Sequence, residues 1–387
     1  MSSTVFDRVI VGSSPLAIMY AVKFARAGLK TVIVEKNKSL GGAWRSCTVE
    51  ELGEIESSCH LIEFYSGAYE TISDLIELDF TYVQPQPIKI FSNGKSVSYT
   101  TRASIIKEFL KLCIILFCLI FIRYINCLLP SRFKVHKGSQ LSIQDMKERV
   151  WVSAKYRLIR IFEYKGIKAP IDGYVTFSKK LREIIKKYHI HLIHAKVESV
   201  LETSEGYCKL VLSSSLKKAI LSKEVYITES TILENSVNGF LLMSQESYSL
   251  KTYWHIVVSI DKEFMGSMNS YIHLPDSQYF HRITTSHKYS YFDNKNLRHF
   301  FIVQMRRDPS SISQLQTKIE TLFRFCHILS APTEVKIHKT LSEEFITKSS
   351  KKHNNNKKRA QGPIHIIETF GDLGKSIALN YKDITEP

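Results

Sequence analysis

Gly12, Ser13, Glu35, Gly41 and Gly42 are residues whose types and spacing suit a phosphate-bearing ligand. A glycine turn bares backbone N–H groups to a phosphate. An acid about 20 residues further on can accept the hydroxyls of a ribose. The run Gly12-Ser13-Ser14-Pro15-Leu16-Ala17 approaches the pattern G-x-G-x-x-G/A, with Ser14 in place of the second glycine. A serine there adds a β-carbon where the backbone should meet a pyrophosphate, and a hydroxyl that can bond a phosphate. These positions imply a dinucleotide-binding unit.

The flanking residues supply the elements such a unit needs. Val9, Ile10 and Val11 form a short apolar run, as in a parallel strand covered on both faces. Gly12 allows a sharp exit from it. Pro15 suits the first turn of a helix, where its missing N–H costs nothing. The spacing predicts a helix over Leu16 to Ala27, with N–H groups facing a pyrophosphate. Ala17 lets that helix lie close to the strand, and Gly28 ends it. Thr31 to Val34 read as a second strand, with Glu35 and Lys36 at its C-terminal end. Leu40-Gly41-Gly42-Ala43-Trp44-Arg45 then make a tight turn.

With two further segments, this stretch resembles the FAD-dependent oxidoreductases of the amine oxidase, protoporphyrinogen oxidase and UDP-galactopyranose mutase type. In that family the Gly-Gly turn runs alongside the flavin. The second segment is Pro170-Ile171-Asp172-Gly173-Tyr174, a helix-like stretch to Lys187, and IHLIHAKVESV. It is similar to the family's "P-x-G-G, helix, strand" segment, with Asp172 at a glycine position, and it implies that Val197 meets the adenine. The third is Phe370 to Ala378, which contains Gly371-Asp372. It resembles the family's closing "G-D" motif, in which the next helix N-terminus, here near Ser376 and Ile377, faces the ribityl–phosphate chain. The resemblance implies FAD as cofactor. It also implies an α/β fold: a discontinuous Rossmann-like FAD-binding domain with an inserted α+β substrate domain. The expected division is 1–76, 165–236 and 362–387 for the first, and 77–164 and 237–361 for the second.

Composition agrees with a globular enzyme. The chain has 387 residues, 44% hydrophobic and 23% charged, enough for a large core. There are 53 Lys and Arg against 37 Asp and Glu, a net charge of +16. Such an excess favours nucleotides, anionic substrates or a membrane surface, or is spread over a solvated surface. No nucleic-acid-binding signature accompanies it. Seven cysteines without a C-x-x-C spacing argue against a disulfide framework or zinc site and favour a reducing cytoplasm. The first apolar run is short and used by the strand, so no signal peptide is expected.

Phe109 to Leu129 reads FLKLCIILFCLIFIRYINCLL, inside an expected apolar helix at about 105–129. Lys107, Lys111, Arg123, Arg132 and Lys134 flank or interrupt it. The length approaches that of a membrane span. A span would put Gly12 and Asp372 on opposite sides of a bilayer, although both are expected at one FAD. The alternatives are a buried helix, or one at the inner face of the membrane with its basic ends at the headgroups, making peripheral contact through 105–134. The latter would suit an apolar or lipid-linked small-molecule substrate.

In the second domain Tyr253–Ile260, Ser270–Leu274, Tyr279–Thr284 and His299–Val303 read as strands, and Lys223–Thr228 as a strand of the first. Ser311 to Phe325 reads as a helix with Leu315, Ile319 and Leu322 on one face. Residues 349–359 are polar and basic and predict a mobile surface loop. Catalytic residues are less evident, because a flavin carries the redox chemistry itself. The resemblance puts His60 in a loop that returns past the flavin; a structural histidine is the alternative. Arg282, in an expected strand, can hold an anionic group with two parallel bonds. Arg306 and Arg307 are similar but better suited to a solvated face. His189, His191 and His194 cluster, the first two alternating along an expected strand, without a carboxylate or cysteine at ligand spacing, so no metal is expected. Function is read as FAD-dependent oxidation. The alternatives are a mutase acting on a nucleotide sugar and a non-catalytic dinucleotide-binding scaffold. The sequence leaves the oligomeric state open.

Overall fold

The structure is a computed structural model. It describes residues 5–49, 53–56, 61–64, 67–83, 88–90, 95–98, 166–171, 173–213, 219–228, 248–266, 271–285, 298–331, 333–348, 363–367, 376–377 and 383–384, with scattered positions between 106 and 162. His60, Asp172, Gly371, Asp372, the loop at 349–359 and most of 105–134 lie outside the described residues.

Chain order begins β1 (Val5–Val11), α1 (Pro15–Arg26), β2 (Thr31–Glu35), β3 (Ser46–Val49), β4 (Gly53–Glu56), β5 (Ile62–Phe64), α2 (Ala68–Ile76), β6 (Phe80–Tyr82), β7 (Ile88–Ile90) and β8 (Ser96–Ser98). It continues with β9 (Gly166–Pro170), α3 (Gly173–Lys187), β10 (His191–His194), β11 (Lys196–Glu202), β12 (Cys208–Ser213) and β13 (Ala219–Thr228). Then come β14 (Tyr248–Asp261), β15 (Tyr271–His273), β16 (Phe280–Thr285), β17 (Arg298–Met305), α4 (Leu315–Phe325), β18 (Lys336–Lys348) and β19 (Ile364–Ile367).

The first sheet runs β10-β2-β1-β13-β12-β11, with β19 added beside β13. β10, β2, β1, β13 and β19 are parallel, whereas β12 and β11 form an antiparallel meander. The apolar run of β1 is buried on both faces, as parallel strands require. Ile10 and Ile33 face α1, α2 and α3 through Met19, Ile72 and Phe177. Val9, Val11, Val32 and Val34 face Leu210, Leu212 and Ile227 on the opposite side. β1 lies between β2 on one side and β13 on the other. The connection from β1 leads through α1 to β2, so the chain reverses direction across the sheet at β1. Open α/β sheets bind their ligands beyond the C-terminal ends of the strands at such a point.

The second sheet runs β18-β14-β17-β16-β15-β7-β8. One face packs on α4, where Ile319, Leu322 and Phe323 meet Ile256, Val258, Phe301 and Val303. A three-stranded sheet, β5-β9-β6, and the β3-β4 hairpin complete the molecule as described.

Several expected bounds shift. The first helix starts at Pro15 and stops at Arg26, one residue earlier at each end. The strand read at Lys223–Thr228 begins at Ala219 and is a central strand of the sheet. The helix read from Ser311 starts at Leu315: Pro309–Ser311 form a separate 3-10 turn, and Gln314 takes a left-handed conformation between them. His189 stands in a turn at φ +50°, not on a strand; only His191 and His194 belong to β10.

Candidate dinucleotide site

The site is built where β1 ends. Gly12 leaves the strand at φ +98°, a conformation glycine adopts without steric cost. Its N–H donates to Val34 O at 2.9 Å, which ties the turn to the end of β2. Ser13 follows, 1% exposed. Its hydroxyl donates to Glu35 Oε2 at 2.7 Å and accepts from Gly41 N at 3.2 Å. Gly41 N–H also reaches Ser13 O, at 3.0 Å. Ser13 therefore joins the glycine turn, the acid and the Gly-Gly turn.

Glu35 is 4% exposed at the end of β2. Its Oε1 accepts from Asn37 N at 2.8 Å and Asn37 Nδ2 at 2.9 Å. A buried carboxylate needs such donors. Ala195 N–H donates to Glu35 O at 3.0 Å, and His194 Nδ1 donates to Asn37 O at 2.8 Å. These bonds draw the start of β11 alongside Glu35, with Val197 buried two residues further on. Lys36, beside the acid, is exposed.

Gly41 (φ +105°) and Gly42 (φ +59°) are both left-handed, and Gly42, Ala43 and Trp44 form a 3-10 turn. A β-carbon on Gly41 would stand 3.2 Å from the backbone of Trp44, and one on Gly42 would stand 3.4 Å from Ser14 Cα. The two glycine turns thus lie against each other. Trp44 packs on Phe177 of α3 with ring centroids 5.1 Å apart. Pro15, Leu16 and Ala17 are buried, and Ser14 caps the helix: Ala17 N–H donates to its Oγ at 3.3 Å. At the other end of the chain, β19 extends the sheet beside β13, and Ile367 and Ile377 enter the core beneath α1. Ser376 is buried next to Ile377. The two ends of the chain therefore meet in one sheet and one core cluster.

No family model matches the chain, and no curated protein does. Solved structures do. An oxidoreductase from Methanosarcina mazei superposes with a TM-score of 0.61 at 12% identity, over 98% of this chain and 100% of that one. A putrescine oxidase with redesigned cofactor binding gives 0.61 at 12%, over 99% and 98%. The fold is that of these oxidoreductases. A Rab GDI from Plasmodium falciparum shares it at a TM-score of 0.54 and 10% identity, over 99% of this chain and 97% of that one.

A second constellation lies on the face of the second sheet opposite α4. On β14, Val257 points to this face and packs against Val49 and Ile55 of the β3-β4 hairpin, which follows the Gly-Gly turn. Lys339 Nζ donates to Thr48 O at 2.6 Å across the same junction. The face therefore turns towards the β3-β4 hairpin and the Gly-Gly turn that precedes it. The strand register sets His255, Gln304, Arg282, His273 and Lys89 in one row across β14, β17, β16, β15 and β7. Gln304 Nε2 donates to His255 Nε2 at 2.6 Å, and both are buried. Arg282 also lies over the Tyr271 ring, 5.8 Å from its centroid.

A register shift between Phe280 and Arg282 turns His281 to the same side, where its ring meets Tyr253 and His273 at 5.2 and 5.0 Å. Burial first, then the charge of Arg282, pushes His281 down to about 3. Burial, then Lys89 and the two arginines, pushes His273 down to about 4. Both rings are therefore neutral near pH 7. Arg306 is spent on the fold, donating to the carbonyls of Leu274, Pro275 and Ser277. Arg307 lies 5.5 Å from the Tyr279 ring centroid.

Sequence reading singled out Arg282 but missed Asn37, His255, Gln304, His273 and His281. The alternation in YWHIVVSI, with His255, Val257 and Ser259 on one side, was the available signal for the polar face. Among the described residues no three His, Cys, Asp or Glu side chains converge at metal-binding distance.

Proposed function

We propose that the protein is an FAD-dependent oxidoreductase with non-covalently bound flavin. The observation that carries this reading is the joining of Gly12, Ser13, Glu35 and Gly41 at the reversal point of a parallel sheet. The donor set fits the cofactor. The first N–H groups of α1 and the left-handed glycine turns suit a pyrophosphate, and Glu35 Oε2, which accepts from the Ser13 hydroxyl, can accept from a ribose hydroxyl as well. When bound, FAD supplies hydride acceptance at its ring. The chain positions the substrate. In this reading Arg282 and the neutral His273 orient its polar or anionic part, and the face carrying Val257 keeps water out. Titration with FAD, followed by flavin fluorescence, tests it. Glu35→Ala is expected to weaken binding at least about tenfold, since a hydrogen bond to a charged group contributes about 1.5–3 kcal/mol. Undiminished binding would overturn the assignment.

Two other readings have support. Arg282 and Lys89, in the row across the second sheet, suit a flavoenzyme of the UDP-galactopyranose mutase type acting on a nucleotide diphosphate sugar. Consumption of a hydride equivalent per turnover separates it from an oxidase. The joint of Gly12, Ser13, Glu35 and Gly41 would by itself also suit a dinucleotide-binding scaffold without turnover.

We further propose peripheral contact with anionic membranes and an apolar or lipid-linked substrate. Helical positions within 106–117 place Ile106, Leu110, Cys113 and Phe117 at spacings of three and four, with Lys107 and Lys111 beside them, and all six are exposed. Phe117 is 70% exposed. Among the described residues no helix is long and apolar enough to cross a membrane.

A further inference from the structure

Ser14 is the departure from the glycine fingerprint, and its geometry gives the departure a consequence. The residue has φ −59° and ψ 155°, an extended conformation open to any side chain, so the turn does not need glycine for backbone freedom. Its Oγ accepts the N–H of Ala17 at 3.3 Å, and its carbonyl accepts the N–H of Ile18 at 3.0 Å. The hydroxyl thus occupies one of the N-terminal donors of α1 that a phosphate would otherwise take. The β-carbon stands against the other wall of the cradle, 3.5 Å from where a β-carbon of Gly42 would be. A glycine would leave both the donor and that space to a ligand. No acidic side chain lies in the first turn of α1, so nothing else there mimics an anion.

We propose that Ser14 is a built-in cap that competes with the cofactor's pyrophosphate for the N-terminus of α1, so that it sets cofactor affinity and holds the helix together without cofactor. This rests on the flavin reading above. With the cofactor bound, the Ala17 N–H would pass from Ser14 Oγ to a phosphate oxygen. The cost is the loss of a cap already made.

The test compares wild type, Ser14→Gly and Ser14→Ala, each stripped of flavin. Melting temperature without ligand and dissociation constant for FAD are measured by calorimetry. Ser14→Ala is expected to melt lower than wild type without FAD, because the cap is gone. Ser14→Gly is expected to bind FAD roughly tenfold more tightly than wild type, and Ser14→Ala less tightly than Ser14→Gly because its β-carbon remains. Equal FAD affinity in all three would overturn the competition and leave the flavin reading standing. An unchanged melting temperature in Ser14→Ala would overturn the cap. Absence of FAD binding in all three would overturn both this proposal and the flavin reading.

Discussion

Ser13 makes three hydrogen bonds inside the site and is 1% exposed, so its replacement leaves donors and acceptors without water to turn to. Ser13→Ala is expected to destabilise the protein by about 1–3 kcal/mol, read from urea denaturation, because Glu35 Oε2 loses its hydroxyl donor in a buried place. A loss below measurement would contradict the bonding described. The glycines differ in what they tolerate. Gly41 (φ +105°) has the Trp44 backbone 3.2 Å from a would-be β-carbon, whereas Gly28 (φ +76°) has nothing within 4 Å. Gly41→Ala is expected to lower the melting temperature more than Gly28→Ala. At this scale Gly12, Ser13, Glu35 and the Gly-Gly turn were legible, because their roles lie in short stretches of chain. Asn37 was not. Its bond to Glu35 depends on the conformation after β2, which no periodicity encodes. The row across the second sheet was hidden for a related reason: register between five strands is a tertiary property.

The elements were legible where local pattern and burial agree. β1, α1 and β2 follow the apolar run, the Pro15 start and the Gly28 stop. The aromatic and β-branched strands β14 to β17 were found with bounds off by up to five residues, the largest shift at the start of β14. Long-range pairings were not legible. β6 joins β9 across more than 80 residues, and β19 reaches β13 from the far end of the chain. The exposed apolar positions within 106–117 make a prediction at this scale. Wild type is expected to sediment with vesicles containing phosphatidylserine at low salt, and the paired variant Leu110→Glu, Phe117→Glu to stay largely in the supernatant. Equal sedimentation of both would remove the proposed membrane contact.

Across the whole molecule two sheets meet through the β3-β4 hairpin, and the buried histidines of the second sheet give the assembly a pH dependence. His281 and His273 titrate at about 3 and about 4 in the folded protein, below the unfolded value of about 6.5. Below about 6.5 the unfolded chain takes up protons that the folded rings refuse. Their contribution is therefore whole above that value and is lost as pH falls towards 4. The melting temperature should fall steadily from pH 7 to pH 5, and His281→Gln should flatten the slope. An unchanged slope in that variant would show that His281 is not held neutral.

The absorption spectrum of the purified protein after incubation with FAD and removal of excess tests the central claim most directly. Flavin bands near one per chain in wild type, and lost in Glu35→Ala, are the expected result. A colourless protein, or bands that persist in full after Glu35→Ala, would contradict the account.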